Sequence, residues 1–414
     1  MARTRSPLPF WGLVLTGSWA LTLWVMPWSD ERVNDLFVFR SDASWFLDGL
    51  LPYRDVAFEY PPLAAGAIGL PGLAGTGASS YRWAFALTML ALAFCVLVLV
   101  RALARRTGGS VALASAAVAL APLVTGAMIR NHFDLLPVAL TLGALLLVLG
   151  RRPGLGFALL GVATMTKGFP LVVAPVALAW LVAGGERRAA LRGGCAFAAV
   201  VALMAGLAVG LSPAGARDAI RYQTARPVQI ESLASFGVRA IDALGGPRAV
   251  PVESYRSDGL EHPAGGALAG LFAALGVLAV GVLATGAARR PGDPRALVLA
   301  SLGAVAAFAT FGKVLSPQYL VWVIPLGALA LAWRRWALAA TVGAATLLTF
   351  VEFPSRYFDL VDGRALPLAI VGVRDALLLG VVALAVREPR RAPAQTGGAS
   401  GAGLSARRAR ATTS

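Results

Sequence analysis

The sequence predicts an all-α polytopic membrane protein of about twelve transmembrane helices, with a large first and a large central loop on the extracytoplasmic side. Three observations carry that expectation. Hydrophobic residues make up 57% of the chain and charged residues only 14%, a balance that excludes an ordinary soluble domain. The apolar residues gather into repeated runs of membrane-spanning length or slightly less. The 37 basic and 21 acidic residues fall in short clusters between those runs, a pattern that orients a membrane chain and does not suggest nucleic-acid binding. Cys95 and Cys195 both lie inside apolar runs and read as small core residues, without a disulfide framework.

In chain order, Arg3 and Arg5 precede an apolar run at 10–28 that lacks a convincing small-residue cleavage site and reads as a first span leaving the cytoplasm. A polar stretch follows, within a first outer loop at 29–81. Residues 63–75 are short and rich in Gly and Pro, and the sequence leaves a short span or a re-entrant segment open, the latter allowed only where protein shields its backbone. Further spans are expected at 82–100, 111–127 and 135–150. Residues 154–185 must leave the arginine-marked face and return to it, because Arg187, Arg188 and Arg192 follow; two short spans therefore meet near Lys167. A span at 194–211 leads to the central outer loop, 212–265. The remaining spans are expected at 266–288, 296–312, 319–333, 337–351 and 366–386. Both termini then lie inside, and 17 of the 21 acidic residues fall outside. The membrane domain covers 1–388, and the Ala, Gly, Ser and Arg-rich segment 389–414 reads as a disordered cytoplasmic tail.

The candidate chemistry is concentrated in the outer loops. Between residues 30 and 62 seven carboxylates stand among aromatic and aliphatic side chains, which suits a loop that lies on a membrane and handles a polar substrate. Asp35, a few residues past the first span, is flanked by Val33, Leu36 and Phe37 and is expected to be partly desolvated. Asp42 lies seven residues on, on the same face if the stretch is helical. Asp48, Asp55 and Glu59 are expected to be solvated or to brace the loop. Only two of the basic residues are lysines, Lys167 and Lys313, and each falls at the outer end of an expected span beside Gly or Pro. A compact ammonium there suits a phosphate held as a point charge, although lysines also snorkel to interfaces. Asn131, His132 and Asp134 share an outer turn. His132 is an alternative base, but an isolated interfacial histidine reads better as a hydrogen-bonding residue. Arg374 and Asp375 lie inside the last span, where ionisable groups usually face the bundle interior; being adjacent, they are not expected to face each other. Gln318, Tyr319 and Trp322 can contact a sugar or belong to the interfacial aromatic belt. No zinc-ligand spacing, P-loop or Gly-x-Ser-x-Gly motif is present, and no metal or cofactor is expected.

Asn34-Asp35-Leu36-Phe37-Val38-Phe39, Gly49-Leu50-Leu51-Pro52-Tyr53-Arg54-Asp55 and Phe58-Glu59-Tyr60-Pro61-Pro62 together resemble the first outer loop of glycosyltransferase family 87, of the GT-C superfamily. Arg226-Pro227-Val228-Gln229-Ile230-Glu231-Ser232 and the run from Lys313 through Gln318 and Tyr319 to Trp322 are further matches. The resemblance covers roughly residues 10–385. It implies a GT-C-like fold, a polyprenyl-phosphate-linked sugar donor, a glycolipid or glycan acceptor, and inverting transfer of a hexose such as mannose on the extracytoplasmic face of the plasma membrane. It maps the family's first-loop aspartate onto Asp35 as general base. Phe39 stands where a tyrosine is more usual. Candidate substrate-binding residues are Asp42, Glu59, Tyr60, Lys167, Arg226, Gln229, Glu231, Lys313, Gln318, Tyr319 and Arg374. A multi-span secondary transporter or flippase also fits twelve spans with broken helices and intramembrane charges. A shared cavity holding Asp35, Lys167 and Lys313 at one face favours the enzyme, and a site at the midplane favours the transporter.

Overall fold

The computed structural model describes residues 7–388; the expected tail at 389–414 lies outside them. The chain opens with α1 (Leu8–Trp24), and the first outer loop folds into α2 (Leu36–Leu47) and α3 (Ala64–Gly72) before α4 (Ala78–Arg106). Then come α5 (Val111–Ala119), α6 (Pro122–Thr125), α7 (Met128–Asn131), α8 (Leu135–Leu149) and α9 (Pro153–Thr166). A 3-10 turn, Phe169–Val172, leads into α10 (Val173–Ala183), followed by α11 (Arg187–Leu211) and α12 (Pro213–Ala225). The central loop holds β1 (Val228–Gln229), α13 (Leu233–Ala243), β2 (Val250–Ser254) and β3 (Ser257–Glu261). The rest is α14 (Gly265–Ala288), α15 (Pro294–Phe311), a 3-10 turn Pro317–Tyr319, α16 (Leu320–Ala332), α17 (Trp336–Glu352), α18 (Tyr357–Val361) and α19 (Ala365–Arg387).

Five of these helices, α4, α11, α14, α15 and α19, are long and apolar enough to cross a membrane. Seven shorter apolar helical stretches of 10–17 residues, among them Leu135–Leu149, Pro153–Thr166 and Phe169–Ala183, occupy the other positions read as spans. Burial sorts them. α15 is buried along almost its whole length and is the central helix, whereas α11 and α14 bury few residues and leave Leu203, Leu207, Val277 and Leu278 on the outside. An apolar outer surface is what a lipid-facing helix presents, and Cys95 of α4 and Cys195 of α11, expected in the core, are exposed on it. Where helices meet closely a small residue is required: a Cβ on Gly303 of α15 would come within 2.7 Å of Ala385 and Leu283.

Helix direction gives the bundle two unlike ends. α4, α8, α10 and α16 all run towards arginines, at Arg105 and Arg106, Arg151 and Arg152, Arg187 and Arg188, and Arg334 and Arg335. Contacts such as Arg106 to the Leu149 carbonyl, Arg295 Nε to the Thr107 carbonyl at 3.0 Å and Ser110 N to Ala332 O at 2.9 Å join that end. The two outer loops and the break at Lys167 lie at the other end.

Two features depart from the sequence reading. Residues 63–75 form the nine-residue α3, packed on α2 and α4, with the Tyr81 hydroxyl donating to the Ile68 carbonyl at 2.9 Å. At about 1.5 Å per residue α3 is far too short to cross, so it is part of the loop. The central loop also contains a three-stranded antiparallel sheet, ordered β1-β3-β2, in a chain expected to be all-α. Its hairpin turns through Tyr255 and Arg256, both at positive φ (52° and 54°), with Ser254 paired to Ser257. Such a turn is normally announced by Asn-Gly or Asp-Gly; Tyr-Arg carries no such signal.

Candidate active site

A cavity of about 670 Å³ opens at the loop-bearing end. The first outer loop, the α7–α8 turn, the break between α9 and α10, α11, α12, the hairpin and the segment before α16 all contribute to its walls. The loop is clamped against α12: Gln223 Nε2 donates to the Glu59 carbonyl at 3.1 Å, and a Cβ on Gly215 would lie 2.0 Å from the Tyr53 carbonyl oxygen. Only glycine permits that approach.

Asp35 sits at the N-terminus of α2, but its side chain makes no capping bond there. Asn34 Oδ1 accepts from Leu36 N at 2.9 Å instead, leaving the Asp35 carboxylate to face the cavity. Asp35 Oδ2 lies 3.5 Å from His132 Nε2, and the Asp35 side chain keeps 37% exposure while that of His132 keeps 6%. Burial pushes the Asp35 carboxyl up; His132, Lys167 and Arg256 together outweigh it and hold the group below the ordinary carboxylate value. His132 was expected to be a hydrogen-bonding residue, and it is one, to the Met128 carbonyl through Nδ1 at 3.2 Å; its other nitrogen faces the candidate base.

Lys167 lines the cavity where α9 ends, in extended backbone. Its ammonium lies 2.8 and 2.9 Å from the two oxygens of Asp134 and 4.9 Å from the Phe133 ring centroid. Asp134 also accepts from the Trp322 indole. Lys167 is therefore a paired cation and not the open point charge its scarcity suggested. Lys313 does not line the cavity; its Nζ donates to the Thr224 carbonyl at 2.9 Å. Burial, and then the neighbouring Arg226, lower the Lys313 pKa. Arg226 lines the cavity over the Tyr222 ring at 5.9 Å, and among the described residues it has no carboxylate within ion-pair distance.

Glu231 reaches the wall on a rigid mount. Arg374 Nη1 donates to its Oε1 at 3.1 Å, Arg374 Nη2 to its carbonyl at 2.7 Å, and Gln229 Nε2 to its Oε2 at 2.8 Å. Burial pushes the Glu231 carboxyl up, with Arg374 and Gln229 opposing. Arg374 lies behind the cavity and does not line it. Contrary to the adjacency argument, its Nε reaches Asp375 Oδ1 at 2.9 Å, because a long side chain can fold back along its own helix.

Asp42 is a further correction: it is 2% exposed and absent from the cavity wall. Burial pushes its carboxyl up to about 6, opposed by Arg256 and reinforced by Glu59. Glu59, Tyr60, Gln229, Gln318 and Tyr319 do line the cavity. Tyr319, Trp322 and Phe169 form a continuous ring stack, with centroids 3.9 and 4.3 Å apart. Phe39, which stands where a tyrosine is more usual, is buried against Phe85 and Phe133. The hairpin turn brings Arg256 to the wall, 3.9 Å from Glu59. Nothing in the sequence marked Arg256 or Tyr222 as cavity residues. Among the described residues no group of three or more His, Cys, Asp and Glu side chains is arranged to hold a metal ion.

The profile of glycosyltransferase family 87 matches residues 58–317, well over half of the chain. The chain belongs to glycosyltransferase family 87. Of the candidate residues, Asp35, Asp42, Gln318, Tyr319 and Arg374 fall outside the matched stretch. Among solved structures, the chain is similar to the oligosaccharyltransferase of Archaeoglobus fulgidus tethered to an acceptor peptide, at 14% identity and a TM-score of 0.42, covering 90% of this chain and 55% of that one. The same archaeal enzyme in complex with an inhibitory peptide and a dolichol-phosphate matches at 14% identity and a TM-score of 0.43, covering 91% and 56%. The chain thus spans little more than half the length of these structures. No curated protein sequence matches it.

Proposed function

We propose that this family 87 member is an inverting hexosyltransferase that takes its sugar, a hexose such as mannose, from a polyprenyl-phosphate donor. The acceptor is a glycolipid or glycan hydroxyl on the extracytoplasmic face. The observation that carries this reading is that Asp35 and the unpaired Arg226 share one cavity, with an apolar wall of Ala205, Val209 and Ile220 from α11 and α12.

Those parts match the needs of the reaction. Asp35 takes the acceptor proton as the oxygen bonds to the anomeric carbon, and the anomeric C–O bond to phosphate breaks with its electron pair leaving on the phosphate. Arg226, with Lys313 behind it, answers the charge on that departing group. The apolar wall suits the prenyl chain, and the ring stack offers a face to the sugar. The arginine-rich opposite end supports a cytoplasmic assignment for that end, and hence an outward-facing cavity and about twelve crossings. The transporter reading gains nothing from a cavity at one end of the bundle.

The test is Asp35→Asn, assayed with a radiolabelled polyprenyl-phosphate hexose and a cell-envelope lipid extract. Turnover should fall about a hundredfold or more, with donor binding retained. Normal turnover in the folded variant would refute the assignment.

A further inference from the structure

His132 is one of two histidines in the chain, and the structure places it against the candidate base from a turn that cannot easily move. Arg130 on one side donates to the Thr22 carbonyl at 2.9 Å and pairs with Glu31 at 2.8 Å. On the other side Phe133 packs under Phe39 and Tyr60, and Asp134 is held by Lys167. The residue is 5% exposed and borders the cavity.

Its two nitrogens face acceptors. Nδ1 lies 3.2 Å from the Met128 carbonyl oxygen, which can only accept, so Nδ1 carries a hydrogen in either charge state. Nε2 faces Asp35 Oδ2. A neutral ring then presents a lone pair to a carboxylate, and the contact is attractive only when a proton lies between them.

We infer that Asp35 and His132 act as one base, with His132 holding the proton that Asp35 takes from the acceptor hydroxyl. The inference rests on the assignment of Asp35 as base. In the working form the pair is proton-free. The acceptor O–H bond breaks, its proton joins the carboxylate, and an N–H bond forms at Nε2 as the carboxylate releases it. Sugar transfer leaves the phosphate with the bonding electron pair and the pair with one added proton, which is lost to water before the next turnover. His132 works through Asp35 and is a positioning residue in that sense. The other charged and titratable groups facing the pair are Lys167 at the end of α9, Arg256 on the hairpin, Tyr60 in the first loop, Asp134 at the start of α8 and Tyr319 before α16.

A coupled pair titrates as a unit, and that is the test. The pH dependence of single-turnover transfer is measured for the full chain in detergent, with labelled polyprenyl-phosphate hexose as probe, in wild type, His132→Asn and His132→Gln. Asn keeps a donor for the Met128 carbonyl, and Gln keeps one for Asp35; neither titrates. Wild-type transfer should fall on acidification well above the carboxylate range, whereas in both variants the fall should move down by about 2 pH units. The variants' plateau rate should drop roughly tenfold or more, with donor affinity unchanged. A lower rate at every pH with an unmoved acid limb would mean a purely structural role and would overturn the inference while leaving Asp35 in place. Turnover by Asp35→Asn would instead sink the base assignment itself. Should both histidine variants misfold, a wild-type acid limb confined to the carboxylate range overturns the inference on its own.

Discussion

Asp134 meets Lys167 with both of its oxygens, so the two lysines of this chain have different jobs and their variants should separate. Lys167→Ala leaves a buried carboxylate unpaired and is expected to lower stability by about 3–5 kcal/mol, read as a drop in melting temperature. Arg226→Ala and Lys313→Ala remove charge from the proposed phosphate position, and donor KM should rise about tenfold or more with melting nearly unchanged. Unaltered donor kinetics in both would remove the phosphate from that place. Asp42 gives a prediction about pH. Its folded pKa, about 6, is raised above the usual 3.8, so the fold favours the neutral acid. The associated stability is fully present below about pH 4 and is lost as pH rises through about 6. Asp42→Asn cannot ionise, and should therefore be more stable than wild type at pH 8 by about 2–3 kcal/mol, with the gap closing towards pH 4. A gap independent of pH would contradict this account.

At the scale of elements, α12 decides the shape of the cavity without being a core helix. None of its residues is buried, yet Ala216, Ala219, Ile220, Tyr222, Gln223 and Thr224 line the wall, and Gly215 lets the helix rest on the Tyr53 carbonyl. Gly215→Val should push α12 away from the first loop. Transfer, as kcat/KM, is expected to fall by about tenfold or more, while the melting temperature stays within a few degrees because no core contact is lost. A variant with full activity would show that the clamp is dispensable. The hairpin is the second such element. It sets Arg256 facing Glu59 through two residues at positive φ, a conformation that costs energy for non-glycine residues and is retained where surrounding structure imposes it. Here the Tyr222 hydroxyl bonds the Tyr255 carbonyl.

For the molecule as a whole, the orientation of the bundle is the claim to test. Arginine clusters at one end and the cavity at the other place the chemistry outside the cell if the positive end is cytoplasmic. In whole cells, single cysteines at Asp48 and Arg239 should react with an impermeant thiol reagent, and one at Arg188 should react only after permeabilisation, with Cys95 and Cys195 replaced beforehand. The reverse pattern would turn the molecule over and put the cavity on the cytoplasmic side.

Membrane solvent makes much of this fold legible in sequence. Lipid leaves backbone groups no partner but their own helix, so each apolar run had to be helical, and the break at Lys167 followed from arginines that had to share one face. Asp35 stood out as a carboxylate just past the first span, whereas Glu59, Tyr60, Arg226, Gln229 and Glu231 were reached through the family resemblance of their motifs; all six line the cavity. What sequence could not decide was which charges answer one another. Asp134 and Lys167 are 33 residues apart, and Glu231 and Arg374 are 143 apart. No local spacing relates them. Asp42 and Asp35 are both read from one helix, but only packing against the rest of the bundle buried the first and opened the second to the cavity. The same packing set His132 beside Asp35, because the pairing of groups from distant segments is settled only when the helices between them have closed on each other.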